Sequence, residues 1–150
     1  MEAGESVKKA MADSAVIRIV SSGFFLASAF SSVKDGKIGD WILLFYNSTT
    51  KKTIDCYVSD NVSMDEEMPA MKEMQRLDVG MTKITAEDAV KMAAERFSGK
   101  PISTLITLSM KGSATWTITF ITEAMLATTY EIDPAGAVAE KETVSLIRRI

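Results

Sequence analysis

From Ile102 onward the chain alternates. Ile102, Thr104, Ile106, Leu108 and Met110 take one parity, and Ser103, Leu105, Thr107 and Ser109 the other. After the turn residues Lys111-Gly112-Ser113, the apolar Trp116, Ile118 and Phe120 alternate with Thr115, Thr117 and Thr119. A period of two with one apolar face predicts antiparallel strands whose other face is wet or partner-facing. Leu126 to Ile132 reads as a third strand. Pro134-Ala135-Gly136 reads as a turn, and Val138 to Ile147 as a fourth strand.

Upstream the period changes. Ala86, Ala89, Val90, Ala93, Ala94 and Phe97 share one helical stripe, and Glu87, Lys91 and Glu95 lie opposite it. The expected helix spans Thr85 to Phe97. Thr85 is its N-cap, Asp88 its capping-box partner and Ile84 its hydrophobic staple. Gly99 is expected to turn left-handed at its end, and Pro101 to bar its continuation.

The first half repeats this order. Glu5 to Val20 predicts one helix, with Val7, Ala10, Met11 and Ala15 on its stripe. Phe24 to Val33 reads as a strand or as an extension of that helix. Trp41 to Tyr46 is a continuous apolar run, the pattern of a central strand covered on both faces. In Thr53 to Ser59, Ile54, Cys56 and Val58 alternate with Asp55, Tyr57 and Ser59. Trp41 and Phe45 are spaced as Trp116 and Phe120, and Tyr57 and Asp60 as Tyr130 and Asp133. These spacings predict an internal duplication, residues 5–60 and 84–150, joined by a linker at 61–83. Within the linker, Pro69 is expected to open a short helix reaching about Leu77, or Ser63 with Glu66 to start one earlier with Pro69 inside it. The fold class expected is α+β: antiparallel sheet with a helix on one face, as a tandem αβββ repeat in one compact domain.

ITAEDAVKMAAERF and YEIDPAGAVAEKE, with strands between them, resemble a PepSY-type domain. The matching residues are Ile84, Thr85, Glu87, Ala89, Tyr130, Ile132, Asp133, Gly136 and Val138. The resemblance implies a non-catalytic module that associates with or restrains a peptidase or another extracytoplasmic enzyme.

Composition narrows the chemistry. The 150 residues contain no histidine and one cysteine. That removes Ser-His-Asp and Cys-His catalysis, disulfide frameworks and most zinc chemistry. A net charge of −3 gives no basic footprint for nucleic acid. No P-loop or dinucleotide glycine pattern occurs. The segment Ser14 to Phe30 is short for a membrane span and carries Arg18. Ala27-Ser28-Ala29 has the form of a cleavage site, but Arg18, Ser21, Ser22 and Gly23 interrupt the apolar stretch before it. The flanks therefore read as cytoplasmic, whereas the family resemblance favours an extracytoplasmic place.

Three groups of residues merit a chemical reading. Met64, Met68, Met71, Met74 and Met81 are expected to pack or to meet a partner rather than to hold copper(I), because no cysteine or histidine joins them. Cys56 is expected to be a buried structural thiol. Asp60, Ser63, Asp65, Glu66 and Glu67 read as a solvated loop, lacking the EF-hand spacing and glycine. No catalytic, cofactor-binding or metal-binding residues are assigned. The candidate partner surface is Thr115, Thr117, Thr119, Met64, Met68, Met71 and Met74. The leading reading is a binding or regulatory module acting on a protein partner or on itself. The alternative is a carrier holding an apolar ligand between helix and sheet, and a lysine- or carboxylate-based enzyme has the least support.

Overall fold

The computed structural model describes residues 1–147. Three helices, α1 (Ala3–Met11), α2 (Ser14–Ser21) and α3 (Ala86–Ala94), accompany ten strands. The strands are β1 (Phe24–Lys34), β2 (Lys37–Ile38), β3 (Trp41–Asn47), β4 (Lys52–Val58), β5 (Val62–Met64), β6 (Met68–Pro69), β7 (Pro101–Met110), β8 (Ala114–Thr122), β9 (Leu126–Ile132) and β10 (Val138–Ser145). All belong to one open antiparallel sheet ordered β10-β9-β8-β7-β1-β3-β4-β5, with β2 on β1 and β6 on β4. The fold class is α+β, and the segment Phe24–Lys34 is strand rather than helix.

Alternation divides the sheet into two faces. Trp41, Leu43 and Phe45 of β3, Ile54, Cys56 and Val58 of β4, and Trp116, Ile118 and Phe120 of β8 are all buried in one cluster. Ala3 and Ala10 of α1 and Ala86, Ala89 and Ala93 of α3 belong to the same cluster. Small side chains at these helical positions let backbone approach strand closely. In β1 an extra residue, Ala27, interrupts the pairing with β3 between Leu26 and Ser28. This bulge lets Leu26 and Ala29 both face the core despite a spacing of three.

Both tryptophans tie a strand to the chain just before a helix. The Trp41 indole N–H donates to the Met1 carbonyl at 2.7 Å, and that of Trp116 to the Ile84 carbonyl at 2.9 Å. Their ring centroids are 6.3 Å apart across the core. Glu2 links the halves further, its carboxylate accepting from the amides of Ala86 (2.6 Å) and Glu87 (3.1 Å) at the start of α3. A carboxylate suits the positive end of a helix.

Several expectations are corrected. The first helix is two, broken at Asp13, whose carboxylate caps α2 by accepting from the amides of Ala15 and Val16. The β3 run is not covered on both faces along its length: Ile42 and Leu44 are only half-buried. Pro69 opens no helix. It lies in β6, opposite Lys52, and the chain runs on without helix or strand, bending at Met71 and Lys72, to Leu77, whose amide donates to the Leu26 carbonyl at 2.8 Å. Edge pairing uses the backbone of residues 68–70 where the proline signal pointed to a helix start. Thr85 caps α3 as expected, accepting from the Asp88 amide at 3.1 Å. Gly99 is not among the residues with positive φ. The helix ends at Ala94, before that glycine is reached.

Candidate binding face

The side of the sheet opposite the buried cluster carries a continuous row of cross-strand neighbours: Tyr57, Ile42, Phe30, Thr107, Thr117 and Glu131. A neighbouring row runs Asp55, Leu44, Ser28, Ser109 and Thr115. Another runs Ser32, Leu105, Thr119 and Thr129. Phe30 is 36 % and Tyr57 37 % exposed, while Ile42, Leu44 and Leu105 are half-buried. The face is thus apolar and aromatic on the β1, β3 and β4 side and hydroxyl-rich on the β7, β8 and β9 side.

Thr115, Thr117 and Thr119 share this face, as their alternation predicts. Thr115 is buried and donates to the Ser113 carbonyl at 3.0 Å. Thr119 shares a hydrogen bond with Thr129 at 3.0 Å. The Thr117 hydroxyl is enclosed without a partner among the described residues. The methionines do not join the threonines. Met64 is half-buried on β5, Met68 and Met71 are exposed at 61 % and 99 %, and Met74 lines a hollow of about 450 Å³. Their helical spacing has no meaning here, because no helix forms over them.

The irregular segment 70–77 crosses one end of the face. Its Arg76 guanidinium lies 4.9 Å over the Phe25 ring, and its Glu73 pairs with Lys51 at 2.6 Å. Phe25 meets Tyr46 edge-on at 5.6 Å, and Tyr46 is buried. The 450 Å³ hollow lies between this segment and the floor formed by Ala27, Ser28 and Leu44. The hollow near the start of α3, beside Trp116 and Ile84, is smaller, about 210 Å³, below the usual range for ligand cavities.

Charge is distributed unevenly. Glu131 pairs with Lys111 at 2.5 Å and Lys141 at 3.5 Å, and its hydrogen bond to Lys111 holds its carboxyl below the usual range. Asp55 and Asp65 adjoin across the opposite edge, the Asp65 amide donating to the Asp55 carbonyl at 3.0 Å. The Tyr57 hydroxyl donates to Asp65 at 2.6 Å. Neither aspartate has an ion-pair partner among the described residues. Burial raises the Asp55 pKa, and the charge of Asp65 adds to that. Asp65 was legible only as loop; its place beside Tyr57 depends on the β4–β5 turn.

Cys56 is buried, and burial pushes its thiol up to about 11, which makes it a poor nucleophile. No group of three or more His, Cys, Asp or Glu among the described residues is placed to hold a metal. No helix among the described residues is long and apolar enough to cross a membrane. No family model, curated protein or solved structure matches the chain.

Proposed function

We propose that the chain is a non-catalytic binding module that engages another protein through this sheet face, with its helices packed against the other. The observation that carries the reading is the row Tyr57–Ile42–Phe30. These are large apolar and aromatic groups running from the middle of a broad sheet toward its β4–β5 edge, aimed away from the core and still partly in water. Exposed apolar patches of this kind mark contact sites more often than they arise by neglect.

The reading includes the internal duplication. α1 and α3 are both nine residues long, with buried residues at their first, fourth and eighth positions: Ala3, Ser6 and Ala10, then Ala86, Ala89 and Ala93. Trp41 pairs with Val58 and Val58 with Val62. Trp116 pairs with Ile132 and Ile132 with Val138. β1 and β7 meet antiparallel in the middle of the sheet, as two copies related by a twofold axis would. The linear match of Tyr57 to Tyr130 does not enter this support. Tyr57 is exposed, Tyr130 is buried, and register aligns Tyr57 with Glu131 instead. The PepSY-type resemblance, and with it a peptidase or envelope protein as partner, remains part of the proposal.

The test uses the full chain as bait in source-cell extract, with Ile42→Arg beside it and Lys8→Glu on the exposed side of α1 as control. We expect Ile42→Arg to lose the partner that wild type and Lys8→Glu retain, with all three folded by circular dichroism. Retention by Ile42→Arg would overturn the assignment of the face, and loss by Lys8→Glu would place the contact on the helix side instead.

A further inference from the structure

If the halves are equivalent, the pairing registers set Phe30 against Thr107, Ile42 against Thr117 and Tyr57 against Glu131. The backbones match, and the side chains on this face do not. In the C-terminal half the row ends in a carboxylate neutralised by two lysines. In the N-terminal half it ends in Tyr57 beside Asp55 and Asp65, neither of which has a cation among the described residues.

We propose that the N-terminal half of the face is the recognition surface, and that it takes a protein segment presenting arginine or lysine between apolar side chains. The inference rests on the face being the contact surface at all.

Three features support it. Phe30, Ile42 and Leu44 provide an apolar floor for the segment's apolar residues. Tyr57 and Phe30 are aromatic rings that attract a cation over their faces, arginine above all. Asp55 and Asp65 supply two carboxylates within the same few residues, and Asp65 fixes the Tyr57 ring through its hydroxyl. The adjoining hollow of about 480 Å³, which Phe30, Ile42 and Tyr57 line, adds one charge of each sign, Lys34 and Asp40, so it does not cancel the acidic bias. Half-burial of Asp55 beside Asp65 makes its ionised form costly without a cation. An incoming guanidinium removes that cost, so complementarity here carries affinity as well as orientation.

The probe is the peptide acetyl-Leu-Arg-Leu-Arg-Leu-amide, titrated into the full isotope-labelled chain and followed by amide chemical shifts. Its Glu-for-Arg and Gln-for-Arg counterparts serve as controls. We expect the arginine peptide to move the amides of Phe30, Ile42, Asp55 and Tyr57, and the glutamate peptide to leave them unmoved. Asp55→Asn with Asp65→Asn should weaken binding by about fivefold or more, the scale of a partly exposed charge pair. The single variants serve if the double one is unfolded. The proposal is overturned by equal binding of the three peptides, by shifts centred on Thr117 and Thr129, by no shift at all, or by unchanged affinity in the asparagine variants. Concentration-dependent shifts of the same amides without peptide would assign the surface to a second copy and overturn it as well. If Ile42→Arg loses its partner while the arginine peptide fails, only the basic-segment inference falls. If Ile42→Arg keeps its partner, the contact face itself is misplaced.

Discussion

Trp41→Phe and Trp116→Phe together test the tandem architecture. Each indole is almost wholly buried and donates to the carbonyl just before a helix. Phenylalanine keeps an aromatic ring in place, so the loss separates into two parts. The missing hydrogen bond costs about 1 kcal/mol. The missing ring atoms, worth two to three buried methylenes, cost about 2 kcal/mol at roughly 0.8 kcal/mol each. Each variant should therefore lose about 3 kcal/mol, a large fraction of the roughly 5–15 kcal/mol typical of domains. Trp41→Phe should fall slightly lower in that range, because Met1 is more exposed than Ile84 and water can reach its carbonyl more easily. The rings lie 6.3 Å apart, so the double variant should cost about 0.5–1 kcal/mol less than the two singles combined, their shared contact being lost only once. Urea unfolding followed by far-ultraviolet circular dichroism measures all three. With two tryptophans in the chain, fluorescence of each single variant also reports the surroundings of the one that remains. A cost below about 1 kcal/mol for one tryptophan beside a full cost for the other would refute their structural equivalence.

Two further outcomes follow from buried and half-buried groups. Cys56 should resist an aromatic disulfide reagent in the native state and react completely in urea, because its thiol is enclosed and its pKa stands at about 11; fast native labelling would remove it from the core. Asp55 has a raised pKa when folded, so the native state holds its proton more tightly than the unfolded chain. Its contribution therefore favours folding at low pH and is lost as pH rises through the folded pKa. Asp55→Asn should raise the melting temperature near neutral pH and have less effect near pH 3; equal effects at both would show that the charge is well solvated.

Much of the second half was legible because its signals are local. The Thr85 cap, the alternation through Trp116, Ile118 and Phe120, and the Gly112 and Gly136 turns depend on neighbours a few residues away. Both glycines take positive φ, 78° and 90°. The first half competes with itself at more points. The stripe Val7, Ala10, Met11 and Ala15 suggests one continuous helix, yet Asp13 caps a second one. Pro69 carries a helix-start signal, but the edge of β4 supplies a better use for that backbone. Spacing alone equated Tyr57 with Tyr130, and a one-residue difference in register places them on opposite faces. The acidic group beside Tyr57 had no sequence signature, since Asp65 reaches it only through the β4–β5 turn.

Under the proposed duplication the sheet began with two like faces, and the face carrying the buried cluster keeps its buried character in both halves. The registers set Leu43 against Ile118 and Phe45 against Phe120 there, and where volumes differ, as with Ala29 against Ile106 and Cys56 against Tyr130, both side chains are still buried in one cluster. On the other face the halves differ in polarity, phenylalanine against threonine and isoleucine against threonine along a single row. Charge follows the same division. Glu131 keeps two lysines, whereas Asp55 and Asp65 have none among the described residues. Apolar, aromatic and acidic side chains stand together on the N-terminal half of this face. Packing does not require that combination, and a basic, partly apolar partner would use every part of it.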